Sequence, residues 1–202
     1  MKRLFINLLL LFVIGVAYSQ NILMMGDSHT RGKTFPLAIK RNLSNYKHFN
    51  YDGQDGFTLK KYTSNCLNRK VIANNDIFIV TFGTNESYKY YDEISHRETL
   101  YWFYRKIKTF NPSAKIIFIV PIPNRVKAED NRLIVNNRTK IASTVISQFS
   151  KNHIDCYFVE TPLLDTCYYQ RDNVHLTNQG YRKLGNKVGT EINSILRKIS
   201  SH

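Results

Sequence analysis

The chain has 202 residues, three cysteines and a formal net charge of +14. That length suits one domain with a real core, not several. Cys66, Cys156 and Cys167 make no known metal-ligand pattern with His153, which argues against a zinc site.

The first segment reads as a secretory leader. Lys2 and Arg3 form a positive start, Leu4 to Val16 is apolar apart from Asn7 and Gly15, and Ala17-Tyr18-Ser19 offers a small-residue cut site before Gln20. The apolar run is shorter than the ~20 residues of a spanning helix, the competing reading. Residues 1–19 are therefore expected to be a signal peptide and residues 20–202 the domain, secreted or periplasmic and without a stable membrane anchor. Removing the leader lowers the charge from +14 to +12. Such a surplus favours anionic partners: cell-wall polymers, acidic polysaccharides or membrane surfaces. Nucleic acid fits an exported chain poorly. The basic residues are spread with no dense tract, so solubility is the competing account of them. Export permits disulfides, and Cys156 with Cys167 is the nearest pair in sequence.

In chain order, Ile22 to Met25 reads as a buried strand ended by Gly26. Phe35 to Leu43 reads as a helix, Phe49 to Phe57 as strand into loop, and Leu59 to Leu67 as a short helix. Ile77 to Val80 is a second buried strand. A helix over Glu93 to Phe110 places Leu100, Phe103, Ile107 and Phe110 at helical spacing. Ile116 to Val120 is a strand stopped by Pro121 and Pro123. A long helix follows from about Asp130 to Phe149, then a strand at Tyr157 to Val159 and a last helix over Asn178 to Ile199. Apolar strands alternating with helices predict one three-layer α/β domain around a parallel sheet. Ligands of such sheets sit beyond the carboxyl ends of the strands.

Those ends carry the polar signals. Gly26-Asp27-Ser28-His29-Thr30 follows the first strand. It places a serine on a tight strand-to-helix turn, although Asp or Ser there also serves as a simple N-cap. Asp172-Asn173-Val174-His175 could supply a base and its orienting acid, since a serine hydroxyl attacks only when a base takes its proton. It also reads as an ordinary surface loop. Gly83-Thr84-Asn85-Glu86 offers an amide to a developing oxyanion. Gly56, with Gly53 as its competitor, offers a close backbone N–H.

Taken together, Gly26-Asp27-Ser28-His29, Gly56, Gly83-Thr84-Asn85 and Asp172-x-x-His175 resemble the four blocks of the SGNH (GDSL-type) hydrolases, in order and across nearly the whole mature chain. His29 departs from the leucine common at that place. The resemblance implies a flavodoxin-like three-layer α/β/α sandwich with about five parallel strands. It implies Ser28 as nucleophile, His175 as base and Asp172 as its orienting acid. Ser28 N–H, Gly56 N–H and the Asn85 amide would form the oxyanion hole, with no cofactor and no metal. The pairing of Gly-Asp-Ser-His-Thr with Gly-Thr-Asn-Glu resembles the branch that removes O-acetyl groups from cell-wall glycans, including peptidoglycan O-acetylesterases. An acetylated, possibly anionic glycan is then the expected partner.

Tyr88, Tyr90 and Tyr91 beside the Asn85 loop are candidates for stacking on sugar rings. Tyr101 and Tyr104, at helical spacing, read first as core; Trp102 lies between them. The same residues would also serve a glycan O-acetyltransferase, a lysophospholipase or thioesterase with an apolar groove, or a non-catalytic glycan-binding protein of this fold.

Overall fold

Ile22, Leu23, Met24 and Met25 are all buried because the strand that carries them has neighbours on both sides and helices on both faces. This strand is β1 (Gln20–Gly26) in a computed structural model that describes residues 20–88, 92–125 and 132–200. The expected leader at 1–19, together with Tyr90 and Tyr91, lies outside the described residues. The other strands are β2 (Tyr46–Gly53), β3 (Ile77–Thr81), β4 (Lys115–Ile119) and β5 (Cys156–Val159). All pairings are parallel, in the order β2-β1-β3-β4-β5. This is the expected three-layer α/β fold with a five-stranded parallel sheet.

Side chains alternate across the sheet because successive residues of a strand point to opposite faces. Ile22, Met24, Ile77, Ile79, Ile117 and Ile119 pack on one side. There α2 (Thr34–Lys40) supplies Phe35 and Ile39, and α8 (Asn178–Ser200) supplies Leu184, Val188 and Ile192. Leu23, Met25, Phe78, Val80, Ile116 and Phe118 pack on the other. That face is covered by α3 (Leu59–Asn65), α4 (Arg69–Ala73), α6 (Glu93–Phe110) and α7 (Arg132–Lys151). Each fully buried Ile, Leu or Phe contributes on the order of 1.5–3 kcal/mol, which makes these two layers the main stabilising feature.

Three short helices escape the periodicity: α1 (Ser28–Arg31), α4 and α5 (Thr84–Tyr88). Each is under two turns, too short for an apolar stripe to register. Strand β2 begins at Tyr46, earlier than its apolar run, because on this edge strand only Phe49 is buried and Lys47 and His48 face solvent. On α6, Leu100, Phe103 and Ile107 are buried as expected, but Phe110 is 40% exposed at the helix end. Tyr101 is 49% exposed and not core, while Tyr104 is partly buried against Phe149 and His153. The three cysteines are free: Cys156 is buried in the helix-covered layer, whereas Cys167 is exposed. Among the described residues, no helix is long and apolar enough to cross a membrane.

Candidate active site

β1 connects outward to β2, and β3 then pairs on the other side of β1, so the chain direction switches between β1 and β3. A crevice opens at the carboxyl ends of the two strands at such a point. Ser28 leaves β1 into that crevice and Asn85 leaves β3 into it.

Asp27 caps α1, its Oδ1 accepting from the His29 N–H at 3.0 Å. This leaves Ser28 as the first helical residue, whose N–H has no intrahelical partner and is free to point at a ligand. Burial, with Glu86 as a further acidic neighbour, pushes Asp27 up to about 7 despite the His29 N–H.

Ser28 Oγ lies 2.9 Å from His175 Nε2, across 147 residues of sequence. On the far side of the ring, His175 Nδ1 is 2.6 Å from Asp172 Oδ2. The polarity of this line follows from its end: a carboxylate only accepts, so Nδ1–H donates to Asp172 and Nε2 accepts from the serine hydroxyl. The other carboxylate oxygen, Asp172 Oδ1, accepts from the Val174 and His175 N–H groups at 2.9 and 3.0 Å. Burial raises the Asp172 carboxyl, but the imidazole and these two N–H donors outweigh it and hold it below the usual carboxylate range.

The three-residue spacing works because Asn173 takes a left-handed conformation, φ 58°, which turns the chain back within one residue. Its carbonyl accepts from the Arg125 N–H at 2.8 Å. The Gln170 N–H donates to the His175 carbonyl, and Tyr169 bridges Leu176, so the loop is tied at its base.

The second and third blocks meet at α5. Asn85 Nδ2 donates to the Phe57 carbonyl at 2.9 Å, and Glu86 Oε1 accepts from the Leu59 N–H at 2.6 Å. The two competing glycines, Gly53 and Gly56, differ sterically. A side chain at Gly53 would meet the Arg31 backbone, so that glycine lets β2 approach α1. Gly56 has φ +69° and open space where a side chain would stand. It is the exposed backbone turn of the pair.

Two neighbours, His29 and Glu86, stand within the sequence blocks named above, but the sequence gives them no individual role. His29 is buried, with Nδ1 2.8 Å from the Tyr181 hydroxyl and its ring 5.2 Å from the His175 ring. Burial first, and the adjacent His175 second, push His29 down to about 3, so it forms a neutral wall beside His175. Glu86 is the other: burial lifts its carboxyl to about 7 against the pull of the Leu59 N–H. Its partner across the loops could not be read from local spacing. The Tyr88 side chain and residues 90 and 91 are outside what is described, so their expected stacking role has no structural counterpart here. Among the described residues, no cluster of three His, Cys, Asp or Glu side chains could hold a metal ion.

The fold is a doubly wound parallel sheet of the α/β class, with a serine, an imidazole and a carboxylate in hydrogen-bonded line at its switch point. The chain belongs to the GDSL-like lipase/acylhydrolase family, whose model matches residues 24–183, and is a carboxylic ester hydrolase. No curated protein matches it. Among solved structures, it resembles a peptidoglycan O-acetylesterase at 12% identity and TM-score 0.68, covering 92% of this chain and 93% of that one. It also resembles a carbohydrate acetylesterase from Sinorhizobium meliloti at 16% identity and TM-score 0.66, covering 88% and 100%. A lipase/acylhydrolase from Enterococcus faecalis is similar at 20% identity and TM-score 0.65, covering 87% and 96%. At these identities the likeness concerns the fold.

Proposed function

We propose that this protein is an exported serine esterase that removes O-acetyl groups from a carbohydrate or cell-wall glycan through an acyl-enzyme on Ser28. The observation that carries the reading is the single imidazole joining Ser28 Oγ, at 2.9 Å, to Asp172 Oδ2, at 2.6 Å from its other nitrogen.

In this mechanism the Ser28 oxygen attacks the ester carbonyl as its proton passes to His175 Nε2. Asp172 holds the ring in the required tautomer and stabilises the imidazolium. The carbonyl oxygen becomes an oxyanion facing the Ser28 N–H, the Gly56 N–H and the Asn85 amide. Collapse breaks the bond to the alcohol, which leaves with the proton from His175. Water then gives a proton to His175 and attacks the acyl-serine, releasing acetate and restoring Ser28. No step needs a cofactor.

The glycan assignment is supported by the joint pattern Gly-Asp-Ser-His-Thr and Gly-Thr-Asn-Glu, and by fold neighbours described as acting on peptidoglycan and carbohydrate acetyl esters. Export is supported by the leader-like residues 1–19. The positive charge suits an anionic polymer.

The test is hydrolysis of 4-nitrophenyl acetate and longer acyl esters by the protein and by Ser28→Ala, followed by acetate release from acetylated glycans. A preference for acetate that disappears in the variant supports the reading. A preference for long acyl chains would favour a lysophospholipase or thioesterase. Acetyl appearing on an added sugar, with little free acetate, would favour a transferase. Equal activity in both proteins would remove Ser28 from the chemistry.

A further inference from the structure

Helix α6 buries His96, Leu100, Phe103 and Ile107 and turns a different set outward. Tyr101 is 49% exposed, Trp102 41% and Phe110 40%. They border a shallow groove of about 710 Å³, shared with Glu98, Arg105 and Lys106. Residues 98, 102, 105, 106 and 110 recur at intervals of three and four, so they share one face of the helix.

The rings are not loose. Tyr101 stands edge-on against Phe149 and His153, at 5.0 and 5.4 Å between centroids. Cations sit beside the others: Lys106 Nζ is 5.7 Å from the Trp102 ring and Arg69 is 5.9 Å from the Phe110 ring. Lys106 is anchored through a 2.6 Å bond to the Thr63 carbonyl. Arg105 is exposed, and no salt bridge engages it among the described residues. The chain as a whole carries +14.

Flat rings offer apolar faces to the C–H faces of sugars, and neighbouring guanidinium and ammonium groups suit carboxylates. A membrane surface fits less well, because Glu98, Arg105 and Thr109 interrupt the apolar area that would have to enter lipid. α6 begins beyond the Asn85 turn and runs ~27 Å back toward the amino ends of the strands, with Trp102 near its middle.

We propose that the outer face of α6, centred on Trp102 with Tyr101, Arg105 and Lys106, is a second, non-catalytic binding surface for an acidic polysaccharide. Its use in presenting substrate rests on the glycan reading of the Ser28 site; the binding itself does not.

Trp102 is the sole tryptophan of the chain, so intrinsic emission reports directly on this face. The protein is titrated with polygalacturonate, with neutral dextran and with vesicles containing anionic lipid. The expected result is a saturable change in emission with polygalacturonate alone, weakening as salt rises. Arg105→Ala and Tyr101→Ala should each weaken it by roughly tenfold, a loss of one modest contact, with 4-nitrophenyl acetate hydrolysis unchanged. No emission change, binding indifferent to both substitutions, a response to dextran or vesicles instead, or emission that tracks protein concentration through self-association would each overturn the proposal. Failure of the Ser28 mechanism would appear in the ester assay and leave this titration intact.

Discussion

Glu86 Oε1 accepts a 2.6 Å hydrogen bond from the Leu59 N–H, although 27 residues separate them. The preceding residue, Asn85, donates to the Phe57 carbonyl. Two consecutive side chains of α5 therefore fasten the loop that carries Gly56. If that loop supplies an oxyanion donor, Glu86 positions it without touching substrate. Glu86→Ala should lower kcat by roughly 10²-fold with little change in KM, the effect expected when a donor is displaced by about 1 Å. Glu86→Gln keeps an oxygen for Leu59 and should retain most activity. Kinetics of the two variants side by side decide this, and equal losses would reject the positioning role.

The same carboxyl couples stability to pH. Burial raises Glu86 from its ordinary 4.5 to about 7 in the folded protein. Between those values the unfolded chain releases a proton that the folded chain retains, so folding loses stability as pH rises through this window. A glutamine does not titrate. The Tm of the native protein minus that of Glu86→Gln should fall from pH 4.5 to about 7 and level off above it. A difference that stays constant with pH would contradict this account.

Asn85 Nδ2 donates one hydrogen to the Phe57 carbonyl and carries a second, to which the proposed mechanism assigns the oxyanion. Asn85→Ala should reduce kcat by about 10²–10³-fold, as when one oxyanion donor is lost. Burst kinetics with 4-nitrophenyl acetate would show the loss in acylation. An unchanged acylation rate would take Asn85 out of the oxyanion hole.

Ser28→Ala should abolish at least ~10⁴-fold of the activity while leaving the fold intact, because the residue buries no large group. Asp172→Asn tests orientation instead. The amide oxygen can still accept from the Val174 and His175 N–H groups, but its NH₂ cannot accept from His175 Nδ1–H. The loop should stay folded and kcat should fall by about 10²–10⁴-fold. Near-native turnover in Asp172→Asn would mean that His175 needs no acidic partner.

The two competing glycines should respond differently to alanine. Gly53→Ala forces a methyl group onto the Arg31 backbone, and such overpacking costs about 1–3 kcal/mol. Gly56→Ala meets no atom but holds φ +69°, a left-handed strain of about 1–2 kcal/mol that a shift of the turn can relieve. The expected outcome is a lower Tm for Gly53→Ala and a selective loss of kcat for Gly56→Ala. Thermal melts and ester kinetics on both proteins separate the two effects. A Gly56→Ala enzyme of full activity would remove that turn from the site.

Much of this molecule was legible in linear order. The apolar runs at 22–25, 77–80 and 157–159 lie within strands, and the run at 116–120 overshoots its strand by Val120 alone; a parallel strand covered on both faces must be apolar throughout, a demand visible residue by residue. The blocks at Ser28, Gly83-Thr84-Asn85 and Asp172-Asn173-Val174-His175 were legible because each is a short string at a strand or helix end. Tyr101 was misjudged as core because helical spacing gives the period of a buried stripe but not its exact width. What the sequence determined by itself was the strand and helix order and the residue types at the crevice. Only the tertiary structure decided that Gly56 and not Gly53 is the open turn, that Glu86 ties α5 to Leu59, and that His29 and Tyr181 stand beside His175. Those relationships join residues 22 to 152 positions apart, and no local spacing encodes them. They arise only when the crossover from β1 to β3 brings the loop ends into one crevice.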